Sequence, residues 1–275
     1  MARIIAIANQ KGGVGKTTTA VNLAAGLARG ITGSTPKRVL LVDMDSQANT
    51  TAVFLTAQFT LGQVDDLTIY EVVVHQTPAE NAIKSIALPA YKKNLPEASL
   101  DLIPSHIRLA QAELELIGIS LRREYRLADS LTNILPLYDY VVIDCPPSLG
   151  LLTINALIAA NEVLIASEPS NFSLIGITLL KRTIYDVARI NQLETAGIVL
   201  TRLDRTNEAK EIVSVLDEHF GDKILPSIPN RVAIREAHSN HCDIFGYTGL
   251  NNDAAIAYAD LTKEVENRMI GESNG

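Results

Sequence analysis

The stretch that most constrains this chain lies near its start. "RIIAIA" (3–8) is followed by "NQKGGVGKTTTA" (9–20), and Ala20, Leu23, Ala24 and Leu27 then fall at i, i+3, i+4 and i+7. An apolar run without alternation predicts a strand buried on both faces. The second spacing predicts an amphipathic helix, stopped by Gly30. A strand, a glycine-rich turn and a helix, in that order, belong to a parallel sheet flanked by helices. The turn needs one lysine to meet an anion at the helix N-terminus, yet it carries two, Lys11 and Lys16.

The same alternation recurs along the chain. Further strands are expected at 38–43, 100–104, 139–144, 162–167, 196–202 and 223–228, and helices near 106–118, 121–134, 149–159, 173–190, 207–220 and 251–269. The fold class expected is α/β, one P-loop domain spanning residues 1–275. Its sheet would be mostly parallel and twisted, of about seven or eight strands, with helices on both faces. "GITGSTPK" (30–37) and "LPAYKKNLPEAS" (88–99) read as loops, and neither is long enough to mark a domain boundary.

Composition excludes several classes. Apolar residues make up 47% and charged residues 20%, which suits a globular chain and not a disordered one. With no Trp and 5% aromatics, the core must come from Ala, Val, Ile and Leu. The net charge of −7 argues against a wholly basic nucleic-acid surface and permits a local patch. Cys145 and Cys242 stand far apart and make neither a disulfide framework nor a CxxC metal pair. With no leader sequence before the loop and no apolar run of spanning length, a reducing cytoplasm is expected.

The glycine loop departs from G-x-x-x-x-G-K-[ST], because Gln10 stands where the first glycine belongs. Its physics survives. Gly12, Gly13, Val14 and Gly15 would turn backbone N–H groups onto phosphate oxygens, and the helix N-terminus adds positive potential. Lys16 would reach the β- and γ-phosphates, Thr17 would bind Mg²⁺, and Thr18 would meet the α-phosphate. "VVIDCPPS" (141–148) places Asp144 at the end of a buried strand, a position from which it can hold Mg²⁺ through water. "LLVDMDSQANT" (40–50) supplies Asp43 and Asp45, able to support the metal shell and orient a water. The plainer alternative for Asp43 and Asp45 is that they cap the turn after a strand.

"KGGVGKTT", "DMDSQAN" and "VVIDCPPS" together resemble the ParA/MinD family of deviant Walker A ATPases, and the ParA type in particular. The likeness continues through "LDLIPSHIRLAQAELEL" (100–116) and "SIPNRVAIREA" (227–237), so it covers the chain from Arg3 to about residue 240. It implies an ATP hydrolase, weak alone, with ATP and Mg²⁺ as cofactors. It also implies that two subunits face each other as an ATP-sandwich homodimer, with Lys11 crossing to the partner's ATP. Gly12 would sit where the partner approaches closely. Asp45 would orient the hydrolytic water, Asp43 and Asp144 would serve the metal, and Lys16 and Thr17 would keep their P-loop roles. Pro229, Asn230 and Arg231 would lie near the adenine. Two departures stand out: Ser46 where the family has proline, and Pro-Asn-Arg in place of Pro-Arg-Asn.

The resemblance further implies non-specific DNA binding in the ATP state and hydrolysis stimulated by a ParB-like or cargo-adaptor protein, the outcome being DNA segregation or cargo positioning on the nucleoid. Lys181, Arg182, Arg202, Arg205, Arg231 and Arg235 are the candidate DNA contacts, against the alternative of ordinary solvated charge. With the loop within ten residues of the start, no operator-binding extension is expected. A MinD-like membrane switch would need a basic amphipathic tail, and "ADLTKEVENRMIGESNG" has few bulky apolar residues and balanced charge. An iron–sulfur relative would need paired cysteines, and Lys11 with "DMDSQAN" argues against a metabolic kinase or ligase. "HSNHCD" (238–243) matches no common zinc spacing. "SLRREYRL" (120–127) reads as a charged helix face, and a long helix over 106–134 is a possible docking surface for the activator.

Overall fold

The computed structural model describes residues 2–62, 66–91, 97–170 and 173–268. Eight strands form one sheet: β1 (Arg3–Ala8), β2 (Val39–Asp43), β3 (Lys84–Leu88), β4 (Ala98–Ile103), β5 (Tyr140–Asp144), β6 (Glu162–Ser167), β7 (Glu194–Leu200) and β8 (Ile224–Leu225). Their order is β3-β4-β2-β5-β1-β6-β7-β8, parallel throughout except for β3, which pairs antiparallel with β4 at the edge. The helices are α1 (Lys16–Arg29), α2 (Asn49–Phe54), α3 (Ala57–Thr60), α4 (Ile69–His75), α5 (Leu109–Ile117), α6 (Arg126–Leu131), α7 (Leu151–Ala159), α8 (Ser173–Ala188), α9 (Asn207–Phe220), α10 (Val232–Ser239), α11 (Ile244–Thr248) and α12 (Asp253–Asn267).

Strand alternation divides the core in two. Ile4, Ala6, Ala8, Val141 and Ile143 face one layer with Val72, Leu109 and Leu157 from α4, α5 and α7. Ile5, Ile7, Leu41 and Val142 face the other with Leu23, Leu27, Phe245 and Tyr258 from α1, α11 and α12. Helix α12 packs on α1 so closely that a Cβ on Gly26 would stand 2.5 Å from the Thr262 hydroxyl, so only glycine fits there. The chain leaves β1 towards β2 on one side and later returns to place β6 on the other. The crevice beyond the carboxyl end of β1, between β5 and β6, is therefore a topological switch point, where open α/β sheets bind ligands.

Several expectations are corrected. Strand β3 is absent from the sequence reading, as are α2, α3, α4, α10 and α11. The helix expected over 121–134 shrinks to α6, and no continuous helix runs through 106–134, because the chain breaks after Ile117 and Arg122 adopts a left-handed φ of 55°. A docking surface built on one long helix is therefore lost. The strand expected at 223–228 is only β8, since Pro226 has no N–H to donate to the ladder. The loop over 88–99 connects β3 to β4, and its Lys92 and Lys93 lie outside the described residues, as does the tail from 269.

Candidate functional site

The glycine loop leaves β1 at the switch point and enters α1. Gly13 (φ 76°) and Gly15 (φ 79°) hold left-handed backbone, which glycine adopts without a Cβ penalty. A Cβ on Gly15 would also come within 3.2 Å of Thr201, whose hydroxyl donates to the Val14 carbonyl at 2.7 Å. At the other end Asn9 ties the loop down. Its amide donates to the Ala166 carbonyl at 2.6 Å and its oxygen accepts the Lys11 N–H at 3.0 Å. The loop is thus clamped to β6 and to the end of β7 before any ligand arrives.

The two lysines take opposite positions. Lys16 is buried, and its ammonium donates to the Lys11 carbonyl at 3.0 Å. Burial lowers its pKa, while Asp144, Cys145 and Asp45 pull it back up. The Lys11 side chain is 55% exposed, with its ammonium 3.6 Å from the Glu168 carboxylate. Gly13, Gly15, Lys16, Thr17, Thr18 and Asp45 line a cavity of about 540 Å³, and Lys11 does not.

The carboxylates lie alongside. Asp43 and Asp144 are register partners on β2 and β5, both fully buried. One oxygen of Asp144 accepts the hydroxyls of Thr17 (2.8 Å) and Thr50 (2.7 Å), and the other is buried without a partner. Both oxygens of Asp43 are taken, by the Thr51 N–H and hydroxyl and by the Asp45 N–H. Burial pushes both carboxyls well above their ordinary pKa, and for Asp43 the charge of Asp144 adds to it. Such a pair fits a divalent cation. The unpartnered oxygen and the Thr17 hydroxyl are hard donors, and the positive charge would relieve the repulsion. Among the described residues no cluster of three or more His, Cys, Asp or Glu forms a metal cage. Asp43, expected at the metal, already accepts three protein donors and holds the N–H of Asp45.

Asp45 lies at the cavity wall, its carboxylate accepting the Gln47 N–H at 3.0 Å and its carbonyl accepting the Ser105 hydroxyl at 2.7 Å. Ser105 in turn donates its N–H to the Thr51 hydroxyl. Thr50, Thr51, Ser105, Asn9 and Thr201 were not found from sequence. Hydroxyl and amide residues scattered from Asn9 to Thr201 have no spacing rule, and only the fold brings them together.

A smaller cavity continues past Gly15 and Thr18 and is lined by Pro229, Asn230, Arg231 and Tyr258. The Asn230 amide donates to Asp204 at 3.1 Å and the Arg231 guanidinium to Asp253 at 2.9 Å, so both side chains are already engaged by carboxylates. The six arginines and lysines expected to touch DNA separate. Arg202 and Arg235 line both cavities. Arg231 and Arg205 share Asp253, Arg205 loosely at 3.9 Å and 86% exposed. Lys181 lies over the Phe220 ring and Arg182 is exposed, both on α8. In "HSNHCD", His238 and Ser239 close α10, and Asp243 pairs with buried Arg29 at 2.6 Å while capping α11. A larger cavity of about 730 Å³, between Arg29, Lys37, Asp101 and Tyr138, lies at the far end of α1 and lacks the loop and carboxylates that give the first its chemistry.

Comparison with known proteins agrees with this geometry. Residues 2–195 match the family model described as an AAA domain. The chain is 41% identical over 273 residues to the chromosome partitioning protein ParA of Caulobacter vibrioides, covering 97% of this chain and 94% of that one. Among solved structures, cobyrinic acid a,c-diamide synthase of Mycobacterium smegmatis, with bound ADP and magnesium, is 30% identical with a TM-score of 0.75, over 96% of this chain and 93% of that chain. A protein of Borrelia burgdorferi described as a plasmid partition protein, bound to AMPPNP, is 25% identical with a TM-score of 0.76, over 98% of this chain and 100% of that chain. The clamped glycine loop, the paired carboxylates and full-length similarity at 41% identity agree: the chain belongs to the ParA family of P-loop ATPases.

Proposed function

We infer that this protein hydrolyses ATP to ADP and phosphate, closes into a homodimer around two ATP molecules, and binds DNA without sequence preference in that state. A ParB-like or cargo-adaptor partner stimulates hydrolysis and releases it, so that plasmid, chromosome or protein cargo is positioned on the nucleoid in the cytoplasm. The observation that carries this reading is the outward position of Lys11. A lysine anchored by its own backbone to the phosphate loop, exposed and outside the lining of its own cavity, supports a role toward a second subunit's nucleotide. Positive charge delivered across an interface stabilises the charge that develops on the transferred phosphoryl group.

Within one subunit the roles follow from position. Lys16 and the N–H groups of Gly13 to Thr18 hold the phosphates. Thr17 and Asp144 would hold Mg²⁺, which when bound would neutralise phosphate charge. Asp45 orients the attacking water and receives its proton, and Asp43 keeps Asp45 in place. Lys181, Arg182 and Arg205 are the exposed basic residues left for phosphate contacts to DNA. The membrane alternative is disfavoured by α12, whose apolar face, with Tyr258, Leu261 and Val265, is spent on the core. No helix among the described residues is long and apolar enough to cross a membrane.

The test is DNA retention by the purified protein with ATP, ADP or no nucleotide across a salt series. Retention only with ATP, falling steeply with salt, is the expected result. Equal retention in all three states, or none, sinks the DNA half of the reading and leaves the ATP chemistry to be judged by hydrolysis.

A further inference from the structure

We propose that Arg202 and Arg235 form a second cationic wall of the nucleotide site, supplied by the same chain, which binds the phosphates of a nucleoside di- or triphosphate. The inference rests on reading the cavity as a nucleotide site.

Three observations carry it. The first is placement. Arg202 follows Thr201, the residue that clamps the phosphate loop, and one nitrogen of its guanidinium lies 3.9 Å from the point a Cβ on Gly13 would occupy. It therefore extends over the turn where phosphate oxygens must sit. Arg235 reaches the same space from α10, and both arginines line the phosphate cavity and the smaller one beside it. The second is charge. Among the described residues neither arginine has a carboxylate within 4 Å, whereas Arg205 and Arg231, close by in sequence, both lean on Asp253. Two guanidinium groups without carboxylate partners thus line one cavity, where an anion would neutralise them. A planar fork of donors matches phosphate oxygens better than an ammonium does. The third is backbone. Arg202 holds φ at 52°, a left-handed conformation unfavourable for a residue with a Cβ. A turn there suits glycine, and an arginine in its place keeps a guanidinium over the loop at a conformational cost.

Lys16 alone gives this chain one cation at the phosphates. The two arginines raise that to three without help from a partner's Lys11. A single subunit would then hold ATP or ADP firmly, and dimer formation would be left to govern hydrolysis. The same two residues are withdrawn from the DNA surface to which their charge alone assigned them.

The experiment measures equilibrium binding of fluorescent ATP and ADP to the full chain with Mg²⁺ over a salt series, for the wild type, Arg202→Gly, Arg235→Gln and the double variant. Glycine suits the left-handed backbone, so Arg202→Gly removes the guanidinium while favouring the fold, and Arg235→Lys tests rescue by charge. DNA retention is then read at saturating ATP. Each removal is expected to weaken nucleotide binding about tenfold or more and to flatten its salt dependence, with partial rescue by lysine and DNA retention unchanged. Wild-type nucleotide affinity in the double variant overturns the proposal, and more firmly if DNA retention falls. Absence of nucleotide binding by the wild type itself overturns the reading of the cavity and this inference with it.

Discussion

The ammonium of Lys16 donates to the backbone carbonyl of Lys11 at 3.0 Å, so the buried lysine closes the phosphate loop on itself. A nucleotide must take that donor away. Replacing Lys16 by methionine keeps the length of the side chain and removes the charge. Charge-assisted hydrogen bonds are each worth about 1.5–3 kcal/mol, so Lys16→Met should weaken ATP binding about a hundredfold. It should leave the thermal midpoint within a few degrees, since a desolvated cation is lost along with its bond. There is also a proton signature. Burial lowers the pKa of Lys16 in the free protein, and bound phosphates raise it again. In alkaline solution ATP binding should take up a proton, and affinity should fall as pH rises through the range where free Lys16 deprotonates. Calorimetry in two buffers of different ionisation enthalpy measures this, and Lys16→Met should abolish the effect.

Lys11 and Glu168 sit 3.6 Å apart at the open face of the loop. An ion pair exposed to this extent contributes about 0–1 kcal/mol, weak enough to be exchanged for a partner's phosphates. Lys11→Ala should therefore leave ATP affinity of the monomer within about twofold, yet remove ATP-dependent dimers and steady-state hydrolysis. Light scattering coupled to size exclusion, with and without ATP, gives the first answer. A Lys11→Ala protein that still dimerises with ATP and hydrolyses it at the wild-type rate removes the cross-subunit role.

Where sequence succeeded, residues and physics were neighbours. The glycine loop, Asp144 at a buried strand end and the long apolar strands each depend on short-range spacing and fell where expected, the short β8 apart. Helix α4 was missed although Thr68 and Glu71 form a capping box, a T-x-x-E signature before an apolar stretch that was legible. Strand β3 was harder. Its burial alternates, with Ser85 and Ala87 outward and Ile86 and Leu88 inward, and an edge strand of five residues gives little signal against the long buried runs. The hydroxyl contacts of Thr50, Thr51, Ser105 and Thr201 could not be read at all, because they exist only through tertiary contact. Arg202 and Arg235 were found by counting charge, but sequence carries no sign that both line the cavities beside the glycine loop.

Asp144 carries a different test. Two buried carboxyls in register, both with raised pKa, burden the metal-free protein. For a carboxyl whose folded pKa lies above its unfolded value, the burden is absent at low pH and grows as pH climbs above the ordinary carboxylate range. Asp144→Asn keeps an oxygen for the Thr17 and Thr50 hydroxyls and removes the charge. Without metal or nucleotide it should be more stable than the wild type by about 1 kcal/mol at pH 8, with the difference vanishing near pH 4. Mg²⁺ should then no longer strengthen ATP binding. Denaturant unfolding at the two pH values measures the first effect, and ATP titration with and without Mg²⁺ the second. A destabilised Asp144→Asn protein at pH 8 would falsify the account of the carboxylate pair.

Asp45 and Ser105 separate chemistry from positioning. Asp45 holds its carboxylate at the cavity wall, while its carbonyl is fixed by the Ser105 hydroxyl at 2.7 Å and its N–H by Asp43 at 3.1 Å. If the carboxylate orients the attacking water and takes its proton, Asp45→Ala should slow hydrolysis about 10²–10⁴-fold. ATP affinity should stay within a few-fold, and the ATP-bound dimer should persist. Ser105→Ala touches no substrate. It loosens the backbone that carries Asp45, and it should lower kcat by a smaller factor with KM little changed, since small misplacements of a catalytic group slow chemistry more than binding. Single-turnover hydrolysis and ATP titration on both variants separate these effects. If Ser105→Ala raised KM and left kcat alone, the hydroxyl would be serving nucleotide binding, and the placement of Asp45 would have to come from Asp43 and Gln47 alone.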